Sequence, residues 1–86
     1  MEFVGLTECS LNELALAVTK DWERVYFGAK PYLAALLMLD SIEDDYGDDS
    51  GRDVVAYFLS NATTWRGPTA KIIKSELKRR LEACTQ

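Results

Sequence analysis

The chain has 86 residues, enough for one domain with a modest core and no more. Hydrophobic residues make up 48% and charged residues 28%, which are globular values and exclude a disordered tail. The net charge of −4 is spread unevenly: residues 1–53 carry twelve acids against four bases, a net of −8, and residues 54–86 carry two acids against six bases, a net of +4.

Taken in chain order, MEFVGLTECS has no basic region and no apolar stretch of signal-peptide length, and the protein reads as cytoplasmic. Residues 1–9 read as an arm, packed down or frayed, with Glu2-Phe3-Val4 the one segment that has the spelling of a strand edge. Ser10-Leu11-Asn12-Glu13 then spells a capping box, in which the Ser hydroxyl and the Glu carboxylate each satisfy an unpaired backbone N–H. From there Leu11, Leu14, Ala15, Val18, Trp22, Val25 and Tyr26 recur at helical spacing within about 120° of arc. The pattern predicts one amphipathic helix ending near Phe27, with Gly28 as its C-terminal cap.

Pro31 suits the first position of a second helix, because the N–H it lacks is not needed there. The run Tyr32 to Leu39 is apolar all round, which predicts the central and most buried helix, with Leu36 and Leu37 among the most buried residues. At eight residues the run is far short of the ~20 that a membrane span needs, and no membrane contact is expected. The acidic stretch from Glu43 to Gly51 predicts a loop. Asp49 or Ser50 caps a third helix from about Gly51 to Ala62 or Trp65, with Val54, Tyr57, Phe58, Ala62 and Trp65 as a wide ring-bearing face. Arg66-Gly67-Pro68 breaks the chain again. A last helix runs from about Pro68 to Ala83, with Ala70, Ile73, Leu77, Leu81 and Cys84 on one face, Lys71, Lys74 and Lys78 on another, and Glu76 and Arg80 as an i,i+4 ion pair.

Four helices with short connections predict an all-α fold, a compact antiparallel bundle forming one domain over residues 1–86. An even number of antiparallel helices returns the chain to its starting end, so Cys9 and Cys84 are expected at the same end.

The chemistry is mostly defined by what is missing. There is no histidine, so there is no ordinary Ser-His or Cys-His nucleophile pair, and two cysteines alone do not make a usual zinc site. The glycines are too scattered for a phosphate loop. No register of the acidic loop has calcium-binding oxygens and the turn glycine where an EF-hand needs them. These readings predict a protein that is not an enzyme and needs no cofactor.

Two surfaces remain. Leu16, Phe27 and Ile72 fall off the apolar stripes of their predicted helices, which points to a protein contact, self-association being its simplest form. Arg66, Lys71, Lys74, Lys78 and Arg79 form a basic face that points instead to nucleic acid or a nucleotide. Against that second reading, the Asn61 to Gly67 connection is long for a helix-turn-helix, and the isoelectric point is about 4.7.

The wording of Tyr26-Phe27-Gly28-Ala29-Lys30-Pro31-Tyr32-Leu33, Asp45-Tyr46-Gly47, Ser50-Gly51-Arg52, Val55-Ala56-Tyr57-Phe58-Leu59-Ser60-Asn61-Ala62 and Thr64-Trp65-Arg66-Gly67 resembles small uncharacterised helical proteins encoded in actinobacterial phages and prophages. The resemblance spans about residues 26–81. It implies a non-structural accessory protein that binds a host factor, and it assigns no functional residue.

Overall fold

The structure, a computed structural model, describes residues 9–84, with side chains through residue 83. Residues 1–8 of the N-terminal arm, including Glu2-Phe3-Val4, and the side chain of Cys84 lie outside the described residues.

The capping box forms as spelled. The Ser10 hydroxyl accepts from the Glu13 N–H at 3.3 Å, the Ser10 N–H donates to Glu13 Oε1 at 2.8 Å, and helix α1 follows over Leu11–Asp21. Leu11, Leu14, Ala15 and Val18 bury its apolar stripe. The helix stops six residues before Phe27, which corrects the longer helix expected from periodicity. Trp22 takes extended backbone angles (φ −93°, ψ 92°), and its ring stacks on Trp65 with centroids 5.7 Å apart and planes 11° apart. Asp21, the last helical residue, accepts from Trp65 Nε1 at 2.8 Å. The end of α1 therefore lies where two consecutive residues engage one tryptophan from the far half of the chain. Gly28 sits in a later turn and caps nothing of α1.

Helix α2 spans Lys30–Leu37, with Pro31 in its first turn. Leu33, Ala35 and Leu36 are buried, Tyr32 and Leu37 are half-buried, and Ala34 and Met38 are exposed. The helix has one buried side and is not the all-round buried centre that its composition predicts. Its C-terminal extension is tied to the start of α1: Leu11 N–H donates to Asp40 O at 3.0 Å, and Asn12 Nδ2 donates to Leu39 O at 3.0 Å.

The acidic stretch is not wholly a loop. Strands β1 (Asp45–Tyr46) and β2 (Asp49–Ser50) pair antiparallel, Asp45 opposite Ser50 and Tyr46 opposite Asp49. Gly47 opens the two-residue turn at φ 62°, the position where a type II′ hairpin favours glycine. Asp44 anchors the entrance, its Oδ2 accepting from the N–H groups of Asp40 and Ser41 at 3.2 and 3.0 Å.

Ser50 then caps helix α3 (Gly51–Ser60), its hydroxyl accepting from Asp53 N–H at 3.1 Å. Gly51 is pressed against the 42–44 backbone: a Cβ there would lie 2.6 Å from Ile42 O and 2.8 Å from Asp44 O, so only glycine lets α3 start so close to that segment. Helix α4 spans Pro68–Cys84, close to its expected bounds.

The helices touch in ring order, α1 on α2, α2 on α3, α3 on α4 and α4 on α1, while the hairpin packs on α3. The core lies inside that ring. Phe58, Val55 and Ile73 are wholly buried in it, with Leu11, Leu36 and Leu77 close around. The fold is a compact, mainly helical domain with one small antiparallel ribbon. Among the described residues, no helix is long and apolar enough to cross a membrane.

Candidate protein-contact surfaces

Of the three apolar residues expected to miss the core, all are at the surface. Leu16 is 52% exposed on the outer side of α1, and Ile72 is 41% exposed on α4. Phe27 is 75% exposed, although it stands in the turn before α2 and not on α1, so the helical angle that singled it out does not apply. The three stand on three different segments, α1, the turn before α2 and α4.

It builds a different one around Phe27. The Tyr26 ring lies against Phe27, centroids 4.9 Å apart. Gly28 sits between the Tyr26 ring and Asn61 Oδ1, since a Cβ on it would come within 2.6 and 2.9 Å of those atoms. Asn61 in turn donates through Nδ2 to Tyr57 O at 2.8 Å, and the Tyr57 ring contacts that of Tyr32 at 5.4 Å. Tyr26, Phe27, Tyr32 and Tyr57 thus mark one side of the molecule, where the turn before α2 meets α3. Tyr57 was expected on the core face of α3; it is 48% exposed, while its neighbour Phe58 faces the core. Only Phe27 of this group stood out in the sequence. The others carry helical spacing that core rings share.

The basic face separates into committed and open charges. Lys74 is half-buried, its Nζ donating to Trp65 O at 2.5 Å and lying 5.7 Å from the centre of that ring. Burial, and then the charge of Arg66, hold its pKa below the usual lysine value. Arg79 grips the buried Glu76 with two hydrogen bonds, Nε to Oε1 at 2.9 Å and Nη2 to Oε2 at 2.7 Å. Arg80 adds Nε to Oε2 at 2.6 Å, the ion pair expected from spacing. The Arg79 hydrogen bond most of all draws the Glu76 carboxyl below its ordinary range; burial opposes it, and the Arg80 hydrogen bond and the two positive charges support it. Lys74 and Arg79 are therefore engaged within the fold, although the Arg79 side chain stays 54% exposed. Arg66, Lys71 and Lys78 are exposed as well, and among the described residues none of the three forms an ion pair.

Two shallow depressions touch this region. One, of about 450 Å³, is lined by Lys71, Ile72, Ser75, Glu76 and Arg79, all on α4. The other, of about 380 Å³, lies between the end of α3 and α4, at Leu59, Ser60, Thr63, Lys74 and Lys78. A depression walled by a single helix is an outward face rather than a cleft. Among the described residues, no three acids, thiols or histidines converge at metal-ligand distance.

Comparison with protein families, with curated proteins and with solved structures finds no match to this chain.

Proposed function

We propose that this protein is a non-enzymatic interaction module, an accessory factor of phage origin that binds a host protein through the surface centred on Tyr26 and Phe27. The observation that carries the reading is the exposure of Phe27, 75%, beside the Tyr26 ring in a turn backed by Gly28 and Asn61. Large rings held at the surface are what the centres of protein interfaces are enriched in, because they bury much apolar area at little conformational cost. The phage origin rests on the resemblance over residues 26–81.

Phe27→Glu tests it. The side chain makes no core contact, so the variant should melt within a few degrees of the wild type, as surface substitutions do, about 0.5 kcal/mol at most. Against the host protein that the wild type recovers from cell extract, its affinity should fall by about tenfold or more, as loss of a central interface ring requires. Equal recovery by both proteins would remove this surface from the function.

The nucleic-acid reading keeps less support. With Lys74 and Arg79 engaged by Trp65 and Glu76, three of the five candidate bases, Arg66, Lys71 and Lys78, are uncommitted, on a chain of net charge −4. A salt-dependent shift of duplex DNA that Lys71→Glu and Lys78→Glu abolish would restore it.

A further inference from the structure

We propose that the outward face of α4 is the docking site for the acidic β-hairpin of a second copy of this chain, in a head-to-tail contact. The inference extends the interaction reading to a second surface that contains neither Tyr26 nor Phe27, so each can fail without the other.

Charge is the first argument. Glu43, Asp44, Asp45, Asp48 and Asp49 put five acids and no base into seven residues. All of these residues are exposed, and among the described residues none forms an ion pair. Helix α4 carries five bases between Lys71 and Arg80 against the single acid Glu76, whose carboxylate Arg79 and Arg80 already neutralise. The two segments do not satisfy each other at home: the hairpin packs on α3, and α4 packs on α1 and α3. The Glu76–Arg79 and Glu76–Arg80 ion pairs lie within α4 itself. The opposite charge of each segment is available on another copy.

Shape is the second argument. The hairpin is a narrow ribbon, two residues per strand with a two-residue turn, and it carries Tyr46, 43% exposed, among its aspartates. The α4 face has the converse form, a depression of about 450 Å³ with Ile72 in its lining between Lys71 and Arg79. Lys71 and Lys78 are seven residues apart, so they fall within about 20° around the helix and flank the same side of it. A tyrosine ring set into that depression covers Ile72 and, being 43% exposed to begin with, removes at most roughly 100 Å² of its own surface from water. Its neighbouring aspartates then meet Lys71, which lines the depression, with Lys78 two turns further along α4 on the same side as Lys71. Because the two faces differ, the contact is heterologous: each copy keeps one hairpin and one α4 face free, and assembly grows with concentration unless a ring closes. One hairpin on one helix face makes a small interface, so the association is weak and strongly steered by charge.

Charge exchange decides it. Sedimentation of the wild type should show mass rising with concentration at about 50 mM salt, and weakening about tenfold or more toward about 500 mM as screening shortens the reach of the charges. Asp45→Lys with Asp48→Lys should abolish it, and so should Lys71→Glu with Lys78→Glu, each variant keeping the wild-type circular dichroism. Mixing the two variants in equal amounts should restore association, since each then offers the face the other needs. If a reversed variant does not fold, the neutral Asp45→Asn/Asp48→Asn and Lys71→Gln/Lys78→Gln forms serve for the loss. The salt dependence of the wild type still serves for the sign. A wild type that stays monomeric at about 1 mM in low salt overturns the proposal. So does association that survives both variants, or a mixture that stays monomeric. A monomer that shifts duplex DNA, with the shift lost in the Lys71→Glu/Lys78→Glu variant, assigns the α4 face to nucleic acid instead.

Discussion

The protein holds two groups of aromatic rings that look alike in the sequence and live in different environments. Trp22, Phe58 and Trp65 meet inside the ring of helices, with centroids 5.7 to 6.5 Å apart and every ring buried. Tyr26 with Phe27, and Tyr32 with Tyr57, form two ring pairs toward the surface, where the turn before α2 passes α3. Phe58 and Tyr57 are adjacent on one helix and belong to opposite groups. Ring content therefore does not locate a core. What separates the groups is the setting each ring finds: the inner three contact one another, with the Trp65–Asp21 hydrogen bond beside them, whereas the outer four form two separate pairs, Tyr26 with Phe27 and Tyr32 with Tyr57.

The comparison breaks most readily at α3. Phe58→Ala should cost about 3–5 kcal/mol, as deletion of a fully buried ring does, whereas Tyr57→Ala should cost about 1 kcal/mol or less. Urea denaturation of both variants measures the gap, and equal losses would mean that the outer rings are as much a part of the core as the inner ones.

A second pair of neighbours sharpens the same point on α2. Leu36 is buried and Leu37 half-buried, so Leu36→Ala should lose about 2–5 kcal/mol and Leu37→Ala about half that. Indistinguishable values would restore α2 to the central position that its composition implies.

The smallest effect concerns charge. Glu76 is buried beside the inner face of α4 with its carboxyl held below the ordinary range, by the Arg79 hydrogen bond first. A carboxylate whose folded pKa is depressed adds stability above its unfolded pKa and loses it as pH falls through the folded value. Its contribution should thus be complete above about pH 5 and fade below about pH 4. Glu76→Gln should cost about 1 kcal/mol at neutral pH, a modest figure because Arg79 is half open to water, and should flatten the acid limb of a plot of melting temperature against pH. An acid limb unchanged by the substitution would show that other carboxylates carry it.

Much of the architecture was legible in local spelling. The Ser10–Glu13 capping box, the Ser50 cap, Pro31 in the first turn of α2 and the bounds of α4 all follow from hydrogen bonds that neighbouring residues make with one another. The Glu76–Arg80 pair follows from helical spacing in the same way. Exposure of Leu16, Phe27 and Ile72 was also foreseen, although for Phe27 the helix that justified it ends at Asp21.

What the sequence by itself determined is what contacts of three or four residues can determine: where helices start, which stripe of α1 and α4 is apolar, and which side chains have no place inside. What only the tertiary structure decided depends on residues far apart in the chain. Trp65 reaches back 44 residues to Asp21 and stops α1, because stacking and hydrogen bonding there outweigh a continued helical period. The neighbours of α2 choose which half of an all-apolar helix is buried. Gly51 lets α3 close on the 42–44 backbone, and the acidic stretch pairs as a hairpin just before it. Lys74 and Arg79 look like open cations in the helical pattern, and become structural only when Trp65 and the buried Glu76 carboxylate are placed beside them. Local preference is worth tenths of a kcal/mol per residue, whereas burial of one large side chain is worth several. Where the two disagree, the packed structure prevails.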